Sequence, residues 1–135
     1  IEVISFSTFG GNPLSAAAGA ATIDYVIDND LQSNAQAMGQ RFQAAVAPLV
    51  DATPWVAELR GRGLMWAFEM CHPGTIEPDA AKTVAFLEAC KAHGLLVGKG
   101  GLYGNVIRLA PMMDVSADEL DIGIDAIRST IADLA

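Results

Sequence analysis

The order in which apolar spacing changes along the second half of this chain narrows its fold more than any other feature. The pattern predicts a strand over Trp55–Arg60, an interruption at Gly61-Arg62-Gly63, and a second, largely buried strand over Leu64–Met70. His72 to Pro78 is a loop. Asp79 then caps a helix that turns Val84, Phe86, Leu87 and Cys90 inward and stops at His93-Gly94, with glycine in the position after the cap. Leu95–Val97 reads as a short strand, Gly98–Gly104 as a glycine-rich loop, and Val106–Ala110 as a strand ended by Pro111. Ser116 and Glu119 stand in capping-box spacing. The final helix behind them puts Leu120, Ile124, Ile127, Ile131 and Leu134 on one face. The sum is β-β-α-β-β-α, a small sheet covered by two helices in a two-layer α+β fold.

The first half is helical. Asn12 is a favoured N-cap and Pro13 suits a first helical turn, so a helix is predicted from Pro13 to Ile27. Its stripe of Leu14, Ala18, Ala21 and Tyr25 is widened by Ile23, Val26 and Ile27. A helix apolar on several sides is expected to be covered on several sides, here by sequence outside this chain or by a partner subunit. Asp28-Asn29-Asp30 breaks it. A second helix, Leu31 to Ala47, carries Leu31, Ala35, Met38, Phe42, Val46 and Leu49 at spacings of three and four, and Pro48 with Asp51–Pro54 is expected to end it. The chain therefore divides into residues 1–50, a loop with interface or linker helices, and residues 51–135, the α+β domain.

With 135 residues, 52% of them hydrophobic, the chain can build one true core. A net charge of −8 argues against nucleic acid and anionic membranes as partners. No apolar run reaches membrane-spanning length and Ile1-Glu2-Val3-Ile4 does not read as a signal peptide, which points to the cytoplasm. The chain opens in an apolar segment without an initiator Met, and reads as a piece of a longer protein. Cys71 and Cys90 lack metal spacing and read as reduced core thiols.

Two places could carry chemistry. Ser7-Thr8-Phe9-Gly10-Gly11-Asn12-Pro13 puts two hydroxyls before a glycine turn and a helix start; it is either a plain capped helix or an anion site suited to phosphate. Arg108 lies inside an apolar strand, on one face with Val106 and Ala110. Its planar fork suits a carboxylate; the alternative is a structural ion pair or an edge strand. In Arg60-Gly61-Arg62-Gly63 the glycines permit a bulge or close backbone approach, and the arginines read as surface groups. Gly98–Gly104 lacks the Lys-Ser/Thr ending of a P-loop, and Lys99 reads as solvated. Lys82 and Lys91 fall on a polar helix face. No nucleophile triad, carboxylate pair or metal-ligand spacing is present, so neither a catalytic residue nor a metal ligand is assigned.

Taken together, Thr8–Pro13, Arg60-Gly61-Arg62-Gly63-Leu64-Met65 and Ile107-Arg108-Leu109-Ala110-Pro111 resemble the C-terminal part of the class III aminotransferases, the ornithine, 4-aminobutyrate and alanine–glyoxylate type 2 group. Gly94–Gly100 looks closest to the last of these. The resemblance implies the C-terminal small domain of a fold type I enzyme that uses pyridoxal 5′-phosphate, generally as a homodimer. It implies transfer of an amino group between an amino acid or ω-amine and a 2-oxo acid. Thr8 is similar to the family threonine that binds cofactor phosphate across the dimer interface, Ser7 to a residue that joins it, and Arg108 to the arginine that grips a substrate carboxylate. The family's Schiff-base lysine and the aspartate facing the pyridine nitrogen lie upstream, so the isolated chain is expected to be inactive. The chain departs from many relatives at Ser5, where they carry histidine, and at Met112-Met113, where they carry proline and leucine. The alternatives are a dialkylglycine decarboxylase or aminomutase of the same family, or a non-catalytic α+β interaction module.

Overall fold

The computed structural model describes residues 10–135. The chain forms two compact units that divide after Gln32. In the first, α1 (Pro13–Asp28) starts where the Asn-Pro pair predicts: the Asn12 side chain accepts from the backbone N–H groups of Leu14 and Ser15. Asn29 caps its far end and Asp30 takes a φ of 48°. Helix α1 buries no residue, and Leu14, Ile23, Tyr25 and Ile27 are exposed.

The next helix, α2 (Leu31–Asp51), runs a turn further than Pro48 predicts. A proline inside a helix removes one intrahelical N–H, and continuation past it buries Val50. From Ser33 onward α2 belongs to the second compact unit. There follow β1 (Val56–Arg62), β2 (Met65–Met70), α3 (Ala80–Ala92), β3 (Gly98–Gly100), β4 (Val106–Leu109) and α4 (Ala117–Asp133), in the predicted β-β-α-β-β-α order. The sheet is fully antiparallel with strand order β1-β2-β4-β3.

Several boundaries differ from the sequence reading. β1 continues through Gly61 and Arg62 instead of stopping before them, and a two-residue turn at Gly63-Leu64 joins it to β2. Gly63 sits at φ 55°, where glycine is favoured. The predicted strand Leu95–Val97 is not one; β3 lies in the glycine run, because those residues find hydrogen-bond partners on β4. On α3 the inward position is Thr83, not Val84, which is exposed. The Thr83 hydroxyl donates to the Asp79 carbonyl, 2.8 Å away, so its burial leaves no polar group unmet. Lys82 is half-buried over the Trp55 ring rather than on a polar face.

The core lies between one sheet face and the helices. Trp66, Phe68, Met70 and Ile107 meet Phe42 and Val46 of α2, Phe86 and Cys90 of α3, and Ile124 and Ile127 of α4. Phe68 and Phe86 pack edge to face with centroids 5.8 Å apart, and Phe42 tilts against Trp66 at 5.5 Å. Both expected caps form: Asp79 accepts from Lys82 N–H, and Ser116 and Glu119 close a reciprocal capping box. Cys71 and Cys90 are free and buried, and burial pushes both thiols up in pKa.

Candidate functional site

The face of the sheet turned away from the helices is charged, and its register fixes the order of the charges. Arg60 on β1 pairs with Ala67 on β2, Ala67 with Arg108 on β4, and Arg108 with Gly98 on β3. The adjacent row is Glu58, Glu69, Val106 and Gly100. Side chains within a row share a face because strand periodicity is two. The two arginines thus stand about 10 Å apart, two strand spacings, across the small Ala67.

Their electrostatic states differ. Arg60 donates to Glu58 at 2.7 Å and also to Glu69. Hydrogen bonding from Arg60 holds the Glu69 carboxyl below its ordinary pKa and raises that of Arg60. Glu69 also receives Asn105 Nδ2, and the buried Asn105 amide donates to the Met70 carbonyl at 3.1 Å. Arg108 has no ion pair among the described residues, and its residue is exposed. Its strand is an inner strand, so the edge-strand alternative fails. Although its strand is apolar, Arg108 is exposed, which removes the desolvation cost that would demand a partner inside this chain.

Beside Arg108 the sheet end and α4 enclose a cleft of about 410 Å³. Trp66, Leu95, Leu109, Pro111 and Ile124 supply apolar walls, with Arg108 and Glu119 as the charged lining groups. The Glu119 carboxylate is engaged by the Ser116 N–H at 2.9 Å and hydroxyl at 2.8 Å, and strand alternation turns the Arg108 side chain to the opposite face of the sheet, so Arg108 borders the cleft through its strand. Asn34 of α2 fixes the wall that follows β4, donating to the carbonyls of Met113 and Val115 at 2.7 and 3.1 Å. Sequence reading missed this cleft. Its one advance signal is the alternation that sends Leu109 to the helix side of β4 and Arg108 to the other.

Ser7 and Thr8 lie outside the described residues. The helix start behind them constrains how a phosphate could be held. Pro13 has no N–H, the N–H groups of Leu14 and Ser15 go to the Asn12 side chain, and that of Ala16 goes to the Asn12 carbonyl at 2.9 Å. The N–H groups of the first helical turn are therefore already taken. The donors left to a phosphate are those of the preceding loop, and the hydroxyls of Ser7 and Thr8 have the right chemistry.

Both histidines make contacts within the fold. His93 caps α3 and its Nε2 lies 2.7 Å from Asp133. His72 approaches Asp79 at 3.4 Å. Among the described residues no group of three His, Cys, Asp or Glu is placed to hold a metal, and no helix is long and apolar enough to cross a membrane.

Residues 5–131 match the family Aminotransferase class-III. The chain belongs to this family. Class III relatives agree along nearly its whole length: human mitochondrial alanine–glyoxylate aminotransferase 2 is 35% identical over 128 residues, which cover 93% of this chain and 25% of that protein. Acetylornithine aminotransferase from Elizabethkingia anophelis superposes with a TM-score of 0.82 at 32% identity, covering 98% of this chain and 33% of that one. An amine transaminase from an uncultivated Pseudomonas species, solved in its pyridoxal-phosphate-bound form, superposes with a TM-score of 0.84 at 28% identity, over 98% of this chain and 30% of that one. This class III chain thus spans about a quarter of the length of the curated relative and a third or less of the solved ones. Family membership and the cofactor-bound relative both indicate pyridoxal phosphate.

Proposed function

We propose that the protein containing this class III chain is a pyridoxal-phosphate aminotransferase passing an amino group between an amino acid or ω-amine and a 2-oxo acid. The observation that carries the reading is Arg108, an exposed cation on an inner strand with no ion pair among the described residues. Both substrate classes can bring a carboxylate to such a group, and a guanidinium binds one bidentately.

In this reading Thr8 and Ser7 donate hydroxyl hydrogen bonds to the cofactor phosphate, and Arg108 holds and orients the substrate carboxylate. The cofactor, when bound, supplies the electron sink. Within this chain Arg108 supplies grip and orientation by fixing the charged end of the substrate. Residues upstream supply the covalent anchor, so this chain alone does not transaminate. A homodimer in the cytoplasm completes the proposal. Its supports are the exposed apolar residues of α1, which want a partner surface, and two free buried thiols, which suit a reducing compartment.

Steady-state kinetics on the full-length protein test the central assignment. With L-alanine and 4-aminobutyrate as donors, Arg108→Ala is expected to raise KM by about ten- to a hundredfold, the worth of a charge-assisted hydrogen-bond pair. An unchanged KM for every carboxylate substrate would remove Arg108 from the site.

A further inference from the structure

The glycines between residues 98 and 104 are of two kinds. Gly101 and Gly104 take φ of 84° and 66°, where residues with a side chain are strained. Gly98 and Gly100 have no positive φ. They occupy strand β3, where glycine weakens the pairing unless another group must come close. The group that comes close is Arg108. A Cβ placed on Gly100 would stand 3.0 Å from Arg108 Cδ and 3.7 Å from its Cγ. At Gly98, directly opposite in register, a Cβ would make only an ordinary contact, 3.7 Å from Arg108 Cβ. The arginine stem therefore leaves its own row and lies diagonally over the bare backbone of residue 100.

We propose that Gly100 is a positioning residue for Arg108: its missing side chain is the bed on which the arginine stem rests, and so sets where the guanidinium meets a substrate carboxylate. This deepens, and rests on, the assignment of Arg108 to that carboxylate. A side chain at 100 pushes the stem back over Ala67 toward β2. There Glu69, already bonded to Arg60, stands one row away and offers the guanidinium a competing partner. The arginine keeps its charge but loses its aim, and a misplacement of about 1 Å in a binding group is enough to cost affinity.

Equilibrium binding of succinate, a non-reacting dicarboxylate, to the full-length cofactor-loaded protein reads the effect directly. Gly100→Val is expected to weaken binding about tenfold and Gly100→Ala by less, because a methyl group displaces Cδ by only a few tenths of an ångström. In an Arg108→Ala background Gly100→Val is expected to add nothing, since it acts through the arginine. The proposal falls if Gly100→Val leaves succinate binding intact while Arg108→Ala weakens it, or if the two losses add in full. If Arg108→Ala itself leaves binding intact, the assignment of Arg108 falls first and this inference with it. Thermal unfolding accompanies each variant; should the valine variant not fold, the alanine variant carries the same double-mutant test.

Discussion

The two faces of the four-stranded sheet are built from alternate residues of the same strands and do opposite jobs. One face, Trp66, Phe68, Met70 and Ile107, is covered by three helices and has no charge. The other carries Glu58, Arg60, Glu69 and Arg108 among small residues, Ala67, Gly98 and Gly100, and its charged groups stay partly or fully exposed. On the first face a side chain contributes by the area it takes out of water. On the second it contributes by where it holds a charge. Within that second face the contrast repeats on a smaller scale: Arg60 is neutralised by two glutamates, whereas Arg108, across Ala67, is left free by a row of glycine and alanine. A cation whose neighbours have been cleared of carboxylates is available to something arriving from outside.

The sharpest test of this division is to damage the covered face. Phe68 is 1% exposed and packs on Phe86. Phe68→Ala is expected to cost about 3–5 kcal/mol of unfolding free energy by denaturant titration. A loss below about 1 kcal/mol would mean that the helices do not seal this face as described, and the comparison would lose its first half.

How much of this was legible in the sequence depended on how local the cause was. The caps at Asn12, Asp79 and Ser116 were legible because each is settled within three residues. The strand β3 was not. Leu95–Val97 has the β-forming side chains, but strand status belongs to residues with a partner, and β4 pairs with Gly98–Gly100. Thr83 took the inward place expected of Val84 because a hydroxyl that bonds back to its own helix can be buried without loss. The strand that carries Arg108 was legible too. The exposure of Arg108 was not, since that depends on which strand lies beside it and on the side chains missing from that strand. The cleft joins residues from α2, all of β2 to β4 and α4, a combination no local pattern contains.

A smaller effect separates the two arginines. Arg60→Ala breaks two partly exposed ion pairs and is expected to lower stability by up to about 1 kcal/mol. Arg108→Ala breaks none among the described residues and is expected to stay within about 0.5 kcal/mol of the parent. Parallel thermal and denaturant unfolding measures both. Equal losses in the two variants would show that Arg108 serves the fold as much as Arg60 does, and the functional contrast between them would fail.

The finest test is a pH dependence. Hydrogen bonding from Arg60 depresses the Glu69 pKa below its ordinary value of 4.5. A carboxyl depressed on folding stabilises the native state fully above its unfolded pKa, and that contribution is lost as pH falls through the lower folded value. Glu69→Gln should therefore be less stable than the parent at neutral pH, by less than about 1 kcal/mol given its exposure. The difference should shrink below pH 4.5 and vanish once the parent carboxyl is protonated. Asp121, held low by Arg41, and Glu119, held low by the Ser116 N–H, titrate in the same window. Parent and variant will thus both keep an acid-unfolding limb, and the difference between the two curves isolates Glu69. A difference that stayed constant down to pH 2 would mean that Glu69 acts on the open face through packing rather than charge. The clearing around Arg108 would then be a matter of shape alone.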